Sequence, residues 1–327
     1  MKNLKPLLLN NPRAWRTYQG GKLLEQFHGI DFPSDTHFPE EWIASTTSAR
    51  NAGREHVKNE GLSYLKEDAQ KTLLDCIESS PDDMLGKKHV LANGVQMGVL
   101  VKLIDSSERL SIQVHPDKAM AKAYFNSNYG KTECWHILGG REIAGEKPCI
   151  YFGFKPGITR AYWIELFEKQ DIDGMLSCLH KFPVEKGDTF LIEGGLPHAI
   201  GAGCFLVEIQ EPTDYTIRVE RTDAEGNPIA ETMCHQGLGF EKMFDCFDYQ
   251  GYTEEEIINR WKLSKTEIAK TIEYEREWLV SYSQTPYFAM EQIICRKKIR
   301  LLEKEVFSVL YTLEGRGKMI CNGEAFP

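Results

Sequence analysis

The stretch FPVEKGDTFLIEGGLPHAIGAGCFLVEIQEPTDYTIRVE, running on from Phe182, constrains the fold more than any other part of the chain. Short apolar runs alternate with Gly- and Pro-bearing turns, a rhythm of brief strands rather than of helices. Strands at this spacing predict an antiparallel barrel or two-sheet sandwich. Upstream, QMGVLVKLIDSSERLSIQVH (96–115) reads as a hairpin around a turn at Asp105–Glu108, and TECWHIL and KPCIYFGF read as strands. The pattern returns near the C-terminus in AMEQIICRKKIRLLEKEVFSVLYTLEGRGKMICNGEAF, where strands flank the Gly-rich turn EGRGK and an NGE turn. The matching stage of the first series is followed by KGDTFLIEGG, which has no counterpart before Pro327. The expectation is a mainly β chain with one full barrel and a second, smaller barrel whose closing strands are missing or supplied elsewhere.

Four segments read as helical. They are SYLKEDAQKTLLDCI (63–77), with Leu65, Ala69, Leu73 and Ile77 at four-residue spacing, DKAMAKAYFN (117–126), TRAYWIELFEKQDIDGMLSCLHKF (159–182), and the charged TEEEIINRWKLSKTEIAKTIEYERE (253–277). The organisation expected is a catalytic barrel domain over 1–250 with N-terminal and helical additions, a charged helical connector over 251–280, and a C-terminal β segment over 281–327.

A chain of 327 residues, 42% hydrophobic and 27% charged, has the make-up of a globular protein with a sizeable core. A net charge of −9, with no Lys/Arg-dense face, argues against a nucleic-acid partner. The N-terminal apolar run PLLL is too short for a secretory signal, and no stretch approaches the roughly 18 apolar residues that span a bilayer. Nine cysteines without a C-x-x-C pair read as reduced thiols. The expected setting is cytoplasmic, with a small-molecule ligand and no membrane; the residues do not indicate an oligomeric state.

In LSIQVHPDKAM (110–120), strand alternation sets Ser111, Gln113 and His115 on one side. Glu133 in GKTECWH and His198 in GGLPHAIG sit on other strands. Two imidazoles, a carboxylate and an amide oxygen form a plausible four-ligand set for a divalent ion. A lone strand histidine is more often a hydrogen-bonded side chain than a ligand, so the donors alone do not decide.

SIQVHPDK, GKTECWHIL, the PHAIGAG turn and the TIRV segment, in that order, resemble the type I phosphomannose isomerases, zinc-dependent enzymes of the cupin fold, a double-stranded β-helix. The resemblance covers about residues 90–240 well, and the N-terminal EEWIAS and C-terminal strands more loosely. It implies that Gln113, His115, Glu133 and His198 hold one Zn²⁺ per chain. It also implies interconversion of mannose 6-phosphate and fructose 6-phosphate through an enediol, with Glu208, Arg218 and Lys131 at the reacting end. Either Glu208 or Lys131 could be the base. A hairpin turn centred between Ser106 and Ser107 would set Lys102 opposite Ser111, and the resemblance at both positions implies a phosphate clamp. Arg221 is a further candidate phosphate contact.

Two departures stand out. The family's N-terminal tryptophan–glycine word is loosened to WRTYQGGKLLEQF, and 253–277 is longer than a compact connector needs. Two rival functions use the same residues. Two histidines and a carboxylate can hold Fe(II) in a cupin oxygenase, and a non-catalytic cupin could serve as a sugar-phosphate sensor. Gln113 and the Lys102/Ser111 pair favour a phosphosugar, and no basic region or DNA-binding helix pair supports a sensor. The C-terminal segment has no histidine after His235, so it offers no histidine-based site.

Overall fold

The computed structural model describes residues 5–301 and 306–326. The first four residues ahead of PLLL, residues 302–305 of the C-terminal strand run, and Pro327 lie outside the described residues. The strands, in chain order, begin with β1 (Leu9–Asn10), β2 (Arg13–Ala14), β3 (Glu40–Ile43), β4 (Tyr64–Leu65), β5 (Leu100–Asp105) and β6 (Gln113–Val114). Next come β7 (Glu133–Gly140), β8 (Cys149–Phe154), β9 (Leu179–Pro183), β10 (Thr189–Ile192), β11 (His198–Ile200), β12 (Cys204–Gln210) and β13 (Ile217–Arg218). The C-terminal part holds β14 (Thr266–Lys270), β15 (Tyr274–Val280), β16 (Met290–Cys295), β17 (Met319–Cys321) and β18 (Glu324–Phe326).

Two antiparallel sheets carry the molecule. One has the order β10-β7-β12-β5-β3-β2 and the other β13-β6-β11-β8-β9. Register decides what each face carries. Glu208 of β12 lies opposite both Lys102 of β5 and Trp135 of β7, Gln210 opposite Glu133, and Lys102 in turn opposite Trp42 of β3. Directly opposed residues share a face, so Trp42, Lys102, Glu208, Trp135 and Glu133 line one side of the first sheet. In the second sheet Gln113 lies opposite both His198 and Arg218, and His198 also opposite Phe152.

The space between the sheets is filled by Trp135, Ile137, Ile150, Phe152, Phe190, Ile192 and Leu206. The outer face of the second sheet packs Val114, Phe154, Ala199 and Ile217 against Trp163, Leu166 and Phe167 of the helix Arg160–Lys169. Leu103 and Val207, outward on the first sheet, meet Leu73 and Ile77 of the helix Leu73–Ser79. These strands read as near-continuous apolar runs because both of their faces are covered. In the PHAIGAG turn, Gly203 has φ +80 and a Cβ there would stand 2.0 Å from the Arg141 carbonyl oxygen, so only glycine closes β11 onto β12. All nine cysteines are free thiols.

Trp261, at the end of the helix Glu254–Trp261, is fully buried against Phe152 and Tyr252, and its indole N–H donates to Glu193 at 2.7 Å. Trp261→Ala is expected to cost about 3–5 kcal/mol of unfolding free energy by urea titration, through the cavity it leaves.

The strand series from Phe182 and the helix after Asp117 (Lys118–Phe125) form as the residues predict. The hairpin over 96–115 does not. β5 pairs with β3 and β12, whereas β6 joins the other sheet, so Lys102 faces Glu208 and not Ser111. The DSSE segment is therefore a crossing between sheets, and it lacks the Asn-Gly or Asp-Gly turn that closes a tight hairpin. The helix read over 63–77 shortens to Leu73–Ser79, because Thr72 and Asp75 form a capping box, while Leu65 joins β4 opposite Leu9. The helical stretch 159–182 breaks at Asp171, whose side chain caps a second helix at Gly174, and ends in strand β9. The helical connector 253–277 is also corrected. Helix stops at Trp261, and TEIAK and YEREWLV are strands of the three-stranded sheet β14-β15-β16. In that sheet β15 and β16 bury only part of their surface, which explains their charged, helix-compatible composition. Among the described residues the C-terminal part is this sheet and the separate β17–β18 hairpin.

Candidate metal centre and active site

His115, Glu133 and His198 converge in the space between the sheets, with one ligand atom from each lying within 4.8 Å of the others. Glu133 comes from β7 of the first sheet, while His198 and the β6 segment carrying Gln113 and His115 belong to the second. His115 Nδ1 is 2.9 Å from the Tyr215 carbonyl and His198 Nδ1 is 2.8 Å from that of Leu196. Donation there places the proton on Nδ1 and leaves both Nε2 lone pairs pointing inward, the arrangement of ligating imidazoles. The two Nε2 atoms are 3.2 Å apart, and His115 Nε2 is 3.1 Å from Glu133 Oε1.

The electrostatics match. Burial, followed by the charge of Lys131, lowers the His115 pKa, and burial with His115 alongside lowers that of His198 to about 3. Burial by itself would raise Glu133, but Lys131 and His115 outweigh it and hold the carboxylate well below its ordinary range. Both Glu133 oxygens are buried and neither accepts a hydrogen bond, although Lys131 Nζ stands 2.7 Å from Oε1. A buried carboxylate is stable only where positive charge meets it, and beyond Lys131 its second oxygen accepts no hydrogen bond. Two neutral imidazoles and a buried, ionised carboxylate fit a divalent cation. The Gln113 amide lies 3.3 Å from His198 Nε2, and turning it end for end presents its oxygen to the same point.

Glu208 stands beside this triad. Its Oε1 accepts from Lys102 Nζ at 2.7 Å and its Oε2 from the Trp135 indole at 2.9 Å. Burial and the charge of Glu133 raise its pKa, with Lys102 opposing. Lys131 Nζ is also 3.0 Å from His115 Nε2. Arg218, opposite Gln113, donates to the carbonyls of Thr216 and Met233 and makes no ion pair among the described residues. Burial lowers its pKa, opposed by Asp214. A half-buried guanidinium without a carboxylate partner suits an anionic ligand.

Ser111 is half-exposed ahead of β6. Arg221 turns elsewhere, its guanidinium stacked 4.6 Å over Phe167 and 4.7 Å over Phe240. A cavity of about 370 Å³, lined in part by Thr47, Arg50, Met97, Tyr129, Asp214 and Tyr215, opens next to the site. Sequence reasoning missed Arg16, Tyr18, Glu40 and Asp214, which surround Lys102. No spacing rule links them, and the EEW word hinted only at the strand of Glu40.

A cupin with an inward-facing His–Glu–His triad that could hold a metal ion is the class that this fold and site define. A family model described as phosphomannose isomerase type I, catalytic domain, matches residues 9–133. The chain is 28% identical over 318 residues to a probable mannose-6-phosphate isomerase, GmuF, of Bacillus subtilis, covering 97% of this chain and 89% of that protein. It is 29% identical over 236 residues to the mannose-6-phosphate isomerase of Streptococcus mutans, covering 69% and 65%. The crystal structure of the Bacillus subtilis mannose 6-phosphate isomerase superposes with a TM-score of 0.62 at 22% identity, over 88% of this chain and 79% of that one. The chain is thus similar to the type I phosphomannose isomerases, by the family model over residues 9–133 and by these relatives over most of its length.

Proposed function

We propose that this chain is a metal-dependent aldose–ketose isomerase that interconverts mannose 6-phosphate and fructose 6-phosphate through an enediol. The observation that carries the reading is a buried carboxylate of raised pKa, Glu208, held beside the His115–Glu133–His198 triad with the cations Lys131 and Arg218 close by. The names of the relatives supply the sugar.

Zinc is the ion assigned, held by His115, Glu133 and His198 with the Gln113 amide oxygen as fourth ligand. An ion there supplies Lewis-acid polarisation of the sugar oxygens at C1 and C2. Glu208 takes the proton from C2 of the aldose and returns it to C1. Lys131 lies within the triad and is assigned to hold a sugar oxygen, which leaves Glu208 as the base. Arg218 faces the charge that develops on the enediolate. Ser111 stays assigned to the phosphate end, whereas Arg221 is withdrawn from it, because its guanidinium packs over Phe167 and Phe240, and Lys102 is reassigned, because its ammonium is taken by Glu208 and the hairpin that set it against Ser111 does not form. The cavity beside Asp214 is assigned as the approach for substrate. The protein surroundings favour isomerisation over an iron oxygenase, since a proton carrier sits at the site, and over a sensor, which needs none. No helix among the described residues is long and apolar enough to cross a membrane.

A coupled assay on both sugar phosphates, with and without chelator, tests the reading. Full turnover after complete metal removal would reject it, as would binding of sugar phosphate without any isomerisation.

The Lys102–Glu208 contact makes its own prediction. A base works only when deprotonated, so kcat/KM should fall as pH drops through the raised pKa of Glu208, above the usual glutamate value. Lys102 lowers that pKa, so Lys102→Met should move the acid limb to higher pH and depress kcat. If Lys102 instead binds phosphate, the same variant raises KM by about 10- to 150-fold, the loss of one charge-assisted contact, with the acid limb unmoved. The pH profiles of kcat and kcat/KM decide between them.

A further inference from the structure

A row of buried charges of alternating sign runs from the cavity wall to Glu208. Asp214 Oδ2 is 3.7 Å from Arg16 Nη1, Arg16 Nε 2.9 Å from Glu40 Oε2, Glu40 Oε2 4.0 Å from Lys102 Nζ, and Lys102 Nζ 2.7 Å from Glu208 Oε1. The four innermost members are 8%, 4%, 3% and 3% exposed in that order, so water has little access to the three contacts among them. Glu40 is fixed from both sides, accepting from the Tyr18 hydroxyl and the Trp42 indole, each at 2.7 Å. The Trp42 ring also lies 5.0 Å from the Arg16 guanidinium and 5.5 Å from the Lys102 ammonium. Burial would raise the Glu40 pKa, but Arg16 and Lys102 outweigh it and bring it to about 2, so it carries its charge.

Such a row is a poor way to gain stability. Each buried ion is costly to desolvate, and apolar side chains of similar volume commonly serve as well. Its value is orientational. Lys102 has a flexible stem and three donors, and one carboxylate alone does not fix which way the ammonium leans. With Glu40 on the far side, itself held by Arg16, Tyr18 and Trp42, the ammonium has one resting place, against Glu208 Oε1. The residues that set it come from the N-terminal WRTYQGG and EEW words, which contribute no group to the metal triad or to the reacting end.

We infer that Glu40, held by Arg16 and Tyr18, is a positioning residue that acts through Lys102 to fix the carboxylate of Glu208 for proton transfer. The inference rests on Glu208 being the base. Without the Glu40 charge, no anion stands between Arg16 and Lys102, and Lys102 shifts its lean on Glu208. Glu40→Gln should lower kcat by roughly 10- to 100-fold, within the range of coupling between contacting residues, with KM and metal content near wild type. Arg16→Lys, which keeps the charge but not the planar fork, should lose less than Arg16→Met.

The deciding measurement is a double-mutant cycle in kcat over Glu40→Gln and Glu208→Gln, read as deuterium incorporation from D₂O by NMR. If Glu40 acts through Glu208, its effect disappears in the Glu208→Gln background. A double variant slower than Glu208→Gln by the full Glu40→Gln factor overturns the inference and makes Glu40 a structural residue. Wild-type turnover in Glu208→Gln alone overturns the base assignment, and this inference with it. If Glu40→Gln does not fold, Tyr18→Phe replaces it, removing one hydrogen bond from Glu40 and keeping the charge. It is expected to lower kcat by about 3- to 10-fold, and additivity in its cycle overturns the inference equally.

Discussion

Glu208→Gln should reduce kcat by roughly 10²–10⁴-fold while leaving metal content and sugar-phosphate affinity close to wild type. The amide keeps the size of the side chain, and its single oxygen can still accept from Lys102, one of the two partners of the carboxylate, while its NH2 takes the place of the oxygen that meets Trp135. It cannot take a proton from carbon. Because Glu208 is buried between these partners, an apolar replacement would leave the Lys102 ammonium and the Trp135 indole without their acceptor and confound chemistry with folding. The direct readout is deuterium appearing at C2 of mannose 6-phosphate or C1 of fructose 6-phosphate in D₂O. Exchange at the wild-type rate in this variant would transfer the base role to Lys131, the other proton carrier within reach of the triad.

The second large effect concerns the triad. Purified protein should carry about one equivalent of zinc per chain, and His115→Ala with His198→Ala should carry almost none and show no turnover. Both imidazoles present a free Nε2 because their Nδ1 protons are engaged by carbonyls, so losing them removes two prepared ligands at once. Folding should survive, since Trp135, Phe152, Phe190 and their neighbours close the core without the ion. Elemental analysis and circular dichroism on the same samples separate the two outcomes. Full metal retention in the double variant would mean that the ion sits elsewhere.

Much of the triad is legible in the amino-acid sequence. Gln113 and His115 share a strand face by alternation alone, and the words around Glu133 and His198 name the same kind of site. The strand series is legible too, because Gly and Pro punctuation tolerates few other architectures. Local signals fail where partners are distant. Lys102 and Ser111 are separated by what looks like a turn, and nothing in LIDSSERL says that the two strands go to different sheets. The charged segment 266–280 passes for helix because a half-covered sheet and a solvated helix accept the same residues.

The sequence by itself determined the β class, the shared strand face of Gln113 and His115 and the absence of any histidine beyond His235, since these follow from residue identity, strand alternation and turn chemistry. Only the tertiary structure decided which charge meets which. Cross-strand register put Lys102 on Glu208, and the approach of an N-terminal strand put Glu40 and Arg16 behind Lys102. The energy of a buried ion pair depends on distances of a few ångströms between residues far apart in the chain. Strand order and register set those distances, and no local pattern encodes them.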